Sequence, residues 1–214
     1  MKDISVIIRC RNEEEHIGLT IQSVIDHFKN PEIIIIDNQS TDESMKVVSL
    51  FDRYDIRKYS LNGNYTPGKA LNFGVEKANN DTVLILSAHS QITTLNTEML
   101  SQWFRKGHVA VFGNQTPIYR GKKITKRYVW SHFTNDITEN LYSDIEDRHF
   151  LHNAFCFYNK EFLLENPFDE DLSGKEDRYW AIDKINDGHK IHYDSSLVAH
   201  HHYTDNGSTW KGVG

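Results

Sequence analysis

The chain has 214 residues, 38 % of them hydrophobic, and a formal net charge of −6, enough for one substantial core but not for two independent ones. A mean hydropathy of −0.58, with no run near the ~20 apolar residues that cross a bilayer, excludes a transmembrane helix, and the acidic balance excludes sequence-independent wrapping of nucleic acid. Cys10 and Cys156 are the only cysteines; they make neither a disulfide framework nor a zinc motif, so a reducing cytoplasmic setting is expected, with the membrane surface as a second location.

The Met1 end reads as the approach to a strand, not as a signal peptide. Residues 4–9 (ISVIIR) predict a buried strand, and after Asn12 and three glutamates the apolar Ile17, Ile21, Val24, Ile25 and Phe28 recur at helical spacing. Residues 32–36 (EIIII) predict a second buried strand, followed by DNQSTD and a helix over 45–54 capped by Ser40 or Thr41. A third strand at 56–61 and a helix at 68–79 (GKALNFGVEKAN) lead into TVLILSAHSQ, where a wholly apolar strand stops abruptly at Ser87, Ala88 and His89. This alternation predicts a three-layer α/β fold with a parallel sheet.

Beyond residue 93 the pattern is less regular and more aromatic. A helix at 97–106, a strand at 108–112 and a polar region to about 150 are followed by a strand at 154–158 and a helical turn at 161–165. A helix at 175–187 and short strands at 190–193 and 197–199 close the chain. Within the polar region YRGKKITKRYVW concentrates Arg120, Lys122, Lys123, Lys126 and Arg127. That segment is either a solvated loop or a contact for an anionic acceptor, a lipid head group or a polynucleotide. Five of the twelve histidines fall between His189 and His202.

Three polar segments end predicted elements: Asp37-Asn38, Ser87-Ala88-His89 and Glu176-Asp177. In a parallel sheet the C-terminal strand ends share one edge, so these segments can converge on one crevice. The plain alternative for Glu176 and Asp177 is that acids favour a helix N-terminus.

Taken together, SVIIRCRNEEEHIGLTIQSV, EIIIIDNQSTDES, GKALNFGVEKA, LILSAHSQ, FDEDLSGKEDRYW and VAHHH resemble, in order and spacing, the inverting glycosyltransferases of family 2, which have the GT-A fold. The resemblance spans nearly the whole chain. It implies one GT-A domain over 1–214, with a Rossmann-like, mostly parallel sheet flanked by helices. Residues 1–91 would hold a nucleoside-diphosphate-sugar donor and 92–214 would build the acceptor and catalytic half, with residues 119–148 as a mobile acceptor loop.

By the same resemblance Asp177 is the general base that takes the proton of the attacking acceptor hydroxyl, and Glu176 orients that base or the acceptor. Arg9, Asp37, Asn38, Lys69, Ser87 and His89 are expected on the donor side. On the acceptor side His152 and Asn153 are expected to line the site and Trp180 to stack on a sugar. The family's usual Asp-x-Asp motif, which holds a divalent cation (Mn²⁺ or Mg²⁺) against the leaving diphosphate, is replaced here by Ser-Ala-His. His89 and His200 are then either an imidazole pair for manganese or direct phosphate contacts, with Lys69 or Arg178 adding charge, or His89 is structural. The acceptor is expected to be a saccharide or other hydroxyl-bearing molecule, with an anionic one, nucleic acid or lipid-linked, left open by the basic segment. A catalytically degenerate nucleotide-sugar-binding or scaffolding protein is the competing reading. A nucleotidyltransferase ranks last, for want of a glycine- and arginine-rich phosphate loop near the first strand.

Overall fold

Strand-forming isoleucines build the centre of the molecule. The structure, a computed structural model, describes residues 4–61, 63–205 and 207; the Met1 end and the last residues of the 1–214 span lie outside them. In chain order the first elements are β1 (Ser5–Cys10), α1 (Ile17–His27), β2 (Glu32–Asp37), α2 (Ser44–Ser49), β3 (Ile56–Ser60), α3 (Pro67–Lys77) and β4 (Thr82–Ser87). Then come β5 (Ser90–Thr94), α4 (Thr97–Arg105), β6 (His108–Tyr119), β7 (Lys122–Lys123), a 3₁₀ turn (Tyr128–His132), β8 (Thr138–Glu139), β9 (Tyr142–Ser143) and β10 (Arg148–His149). The chain closes with β11 (Phe155–Asn159), α5 (Lys160–Glu165), α6 (Glu176–Asn186) and β12 (Lys190–His202).

The main sheet runs β3-β2-β1-β4-β11-β6-β12-β5. β3, β2, β1 and β4 are parallel, as the alternating pattern predicts. β11 then enters antiparallel between β4 and β6, β12 runs parallel to β6, and β5 closes the edge antiparallel to β12. The sheet is therefore mixed rather than wholly parallel.

Strand periodicity divides the apolar residues between two faces. Ile7, Ile34, Ile36 and Ile85 pack under α3 with the aromatic side chains of the second half. Val6, Ile8, Ile33, Ile35, Leu84 and Leu86 pack under α1 with Phe155 and Phe157. Because both faces are covered, EIIII is a continuous run rather than an alternating one. Thr66 caps α3 by accepting the Lys69 N–H at 3.2 Å, with Pro67 in the first turn.

Several elements differ from the sequence-based expectation for identifiable reasons. Neither Ser40 nor Thr41 caps α2, which begins at Ser44; the Ser40 hydroxyl instead accepts the Asn12 N–H and donates to Asp37. The apolar run of β4 does not end in an open loop, since Ala88 and His89 turn the chain into β5. The two short C-terminal strands are one, β12, whose register shifts between Asp194 and Val198 where Asp194 accepts the Ser196 N–H. The 119–148 segment carries Val129, Trp130, His132 and Phe133 into the core. Lys126 turns inward to donate to Asn114 and the Phe133 carbonyl, leaving Arg120, Lys122, Lys123 and Arg127 as its exposed cations. No described helix is long and apolar enough to cross a membrane, and both cysteines are free and buried.

Candidate functional site

The C-terminal ends of β1, β2 and β4, the approach to β11 and the first turn of α6 enclose a cleft of about 1070 Å³. This is the edge at which an open α/β sheet offers its ligand site. Of the residues singled out from the sequence, Arg9, Asn38, Ser87, His89, His152, Asn153, Glu176 and Asp177 all line it.

The acids arrive by a tight turn. Lys175 has a left-handed backbone, φ 67° and ψ 22°, which costs a side-chain-bearing residue about 1 kcal/mol and turns the chain into α6 just before Glu176 and Asp177. Asp177 accepts the Asn153 N–H at 2.9 Å through Oδ2 and the Arg178 N–H at 2.8 Å through Oδ1. It is only half-buried by surface, yet protein surrounds it at the cleft floor. Burial raises its pKa above the ordinary carboxylate range, against the two N–H donors and the nearby Arg9 and Arg148. Glu176 is buried and ion-paired to Arg9 at 3.3 Å. Its pKa is also raised, by burial and then by Asp177, with Arg9 opposing. Asn153 is fixed from behind, its Oδ1 accepting the Tyr158 hydroxyl at 2.5 Å.

On the opposite wall His89 donates through Nδ1 to Glu13 Oε1 at 3.0 Å. This carboxylate fixes the tautomer and leaves Nε2 as the other ring nitrogen. His152 Nδ1 accepts from Gln115 Nε2 at 3.1 Å and from the Ala154 N–H at 3.3 Å. A ring nitrogen that accepts is unprotonated, and burial pushes the His152 pKa down to about 4. Gln115 meanwhile accepts from His201 Nδ1 at 2.8 Å, so one amide sets the tautomers of two imidazoles.

Four expected site residues lie elsewhere. Trp180 is 4 % exposed, packs edge-on against Tyr158 and Phe162 and donates to the Asn166 carbonyl at 2.7 Å. It is a core residue, and the expected stacking platform for a sugar is not there. His200 does not pair with His89. Neighbouring residues of a strand face opposite ways, so His201 lies beside His89, ring centres 4.8 Å apart, while His200 faces His202 and feels Lys123. Lys69 is outside the cleft lining, its N–H engaged in the α3 cap. Asp37 also lies just outside, its carboxylate accepting from Ser40.

The donor set does not fit a protein-held divalent cation. Ser87 and His89 stand where two carboxylates are expected and His200 is turned away, which leaves the His89 ring, whose Nδ1–H goes to Glu13, without a second ligand from either motif. Among the described residues no three His, Cys, Asp or Glu side chains converge as a ligand set. The cleft instead contains a pair of guanidiniums, of which the sequence marked only Arg178 as a source of charge here. Arg148 contacts Glu146 Oε2 through Nε at 2.7 Å and Nη2 at 2.6 Å, and Arg178 reaches the same oxygen at 3.0 Å. Both arginines line the cleft. Arg148 and Glu146 carry no motif of their own, and Glu13, though inside the first quoted segment, was not singled out within it.

A family model described as Glycosyl transferase family 2 matches residues 5–166. The chain is 30 % identical over 190 residues to GalNAc(5)-diNAcBac-PP-undecaprenol beta-1,3-glucosyltransferase of Campylobacter jejuni, a match covering 85 % of this chain and 59 % of that protein. It is 31 % identical over 94 residues to poly-beta-1,6-N-acetyl-D-glucosamine synthase of Staphylococcus epidermidis, covering 43 % of this chain and 23 % of the synthase. The chain thus spans less than two thirds of either relative. Among solved structures, S. aureus TarS in complex with UDP-GlcNAc superposes with a TM-score of 0.72 at 17 % identity, covering 96 % of this chain and 60 % of that one. GalNAc-T7 with UDP, GalNAc and Mn²⁺ gives 0.75 at 16 % identity, covering 97 % and 45 %. At such identity the likeness is one of fold.

Proposed function

Because the chain belongs to glycosyl transferase family 2 and has the GT-A fold, we propose that it transfers one sugar, with inversion, from a nucleoside-diphosphate-sugar to an acceptor hydroxyl. The observation that carries this reading is Asp177 at the cleft floor, held by the Asn153 and Arg178 N–H groups and raised in pKa by burial. Inversion is an in-line displacement: the acceptor oxygen bonds to the anomeric carbon as the nucleoside diphosphate leaves from the opposite face. The acceptor proton goes to a base within hydrogen-bond reach. A carboxylate fixed through both oxygens has its remaining lone pairs aimed into the cleft, and its raised pKa strengthens it as a base. Glu176, tied to Arg9, holds the neighbouring charge in place. His152, kept neutral, donates through Nε2 to a sugar or acceptor hydroxyl.

Asn38 and the backbone of Arg9 and Cys10 flank the part of the cleft suited to a base and ribose, with Asp37 one residue behind. The acceptor is a hydroxyl-bearing saccharide. The name of the Campylobacter relative, which describes a glycan on undecaprenyl diphosphate, together with the exposed Arg120, Lys122, Lys123 and Arg127, favours a lipid-linked one met at a membrane surface over a nucleic acid. The direct test is a panel of nucleotide-sugars with wild-type protein and Asp177→Asn, following donor turnover and product stereochemistry. Retention of configuration, or undiminished transfer by a folded Asp177→Asn, would overturn the reading. A binding protein without catalysis is favoured only by the Ser-Ala-His replacement, and it requires no donor turnover by either protein over a broad acceptor screen.

A further inference from the structure

We infer that this cleft neutralises the donor's diphosphate with the paired guanidiniums of Arg148 and Arg178 and does not require a divalent cation. The inference rests on the donor reading above. Its first ground is the poverty of the ligand set. Of the acids that line the cleft, Glu176 is bound to Arg9, Asp177 is held by two N–H groups, and Glu13 is bound to His89. Recruiting any of them to a cation would dismantle a contact the site is built on.

The second ground is the arrangement of positive charge. In a chain of net charge −6, the cleft lining holds five cationic side chains, Arg9, Arg11, Arg148, Lys175 and Arg178, against three acids. Arg148 and Arg178 are drawn to one oxygen of Glu146, with side chains only 9 % and 19 % exposed. Two guanidiniums held this close repel each other and lose hydration. Burial lowers the Arg148 pKa, the hydrogen bond to Glu146 opposes this, and Arg178 lowers it further. An anion entering the cleft relieves both costs, and a guanidinium fork matches phosphate oxygens in a way an ammonium does not. Glu146 is the positioning residue that aims the fork.

Calorimetric titration of UDP, GDP, CDP and dTDP, each in excess EDTA and again in manganese, tests this directly. One nucleoside diphosphate is expected to bind equally well, within about twofold, in both conditions, and Arg148→Gln and Arg178→Gln each to weaken it about 10-fold or more. The affinity for the parent nucleoside should be unchanged, which separates contact with the diphosphate from general damage. Arg148→Lys, which keeps the charge without the fork, should lie between wild type and Arg148→Gln and guards against a misfolded glutamine variant. Binding that tightens more than about 10-fold with manganese, or arginine variants that bind like wild type, would overturn the inference while leaving the donor reading intact. No binding of any nucleoside diphosphate in either condition would sink both.

Discussion

The two halves of the sheet solve different problems. β1, β2 and β4 are parallel, aliphatic and covered on both faces, with Ile33 to Ile36 fully buried, and only the edge strand β3 is half-exposed. From β5 onward the pairings are mixed, and the core is aromatic and histidine-rich: Phe112, Phe133, Phe150 and Tyr193 pack in contact with His132 and His152. The first half brings mainly strand ends to the cleft; the second brings Asp177, Glu176, Asn153, Arg148 and Arg178. Rigid aliphatic strands fix where a ligand lies, and the irregular half supplies most of the charges that act on it, beside Arg9, Arg11 and Glu13 of the first half.

The largest effect that tests this division is on the chemical step. Asp177→Asn should lower transfer about 10³-fold or more, in line with loss of a general base, while nucleoside-diphosphate affinity stays within about twofold. A parallel loss of affinity would mean that the Asp177 carboxylate also holds the donor. The pH profile sharpens the same point. Since burial raises both Asp177 and Glu176, the acid limb of kcat/KM should fall at a pH above the ordinary carboxylate values near 4. The pair titrates together, so the limb belongs to both groups. An acid limb at or below pH 4 would leave the raised base without support.

The sequence exposes the two halves unequally. Four consecutive isoleucines can only be a strand buried on both faces, and the 3.6-residue spacing of Ile17, Ile21 and Val24 defines α1 without tertiary help. The C-terminal histidines are different, because which of His200 and His201 faces His89 depends on the register of β12 on β5, and that register shifts between Val198 and Ala199. Trp180 lies one turn from Asp177 along α6, yet the helix presents it to Tyr158 and Phe168 rather than to the cleft. Arg148 is invisible for another reason: its path is set by pairing of β10 with β9 and by Glu146, contacts with no local pattern.

A smaller effect concerns stability in acid. His192 is 3 % exposed and stacks on Trp103 at 3.6 Å. It also faces His108, Asp194, Glu139 and Lys106. Burial first, and then His108, push its pKa from 6.5 down to about 4. As pH falls the unfolded chain binds the proton before the folded one does, so this contribution is intact above pH 6.5 and is lost between 6.5 and 4. From pH 6.5 to 5 the loss is about 2 kcal/mol at ~1.4 kcal/mol per unit. Urea midpoints at the two pH values should converge in His192→Leu relative to wild type. An unchanged pH slope would show that the second half does not hold this ring neutral at a cost.

The smallest effects compare packing in the two halves through two glycines. A Cβ at Gly74 on α3 would come 2.6 Å from Ile7 Cγ2, a clash with one buried side chain and with no strand backbone. At Gly113 on β6 it would meet the Phe155 ring at 2.6 Å and the Leu197 carbonyl oxygen at 2.7 Å, a rigid ring on one side and strand backbone on the other. Overpacking of this kind costs about 1–3 kcal/mol. Gly113→Ala should therefore lie at or above the upper end, and Gly74→Ala at or below the lower, by equilibrium urea unfolding. Equal losses would mean that the aliphatic half is as unyielding as the aromatic one. The contrast would then rest on which residues carry charge rather than on how tightly each half is packed.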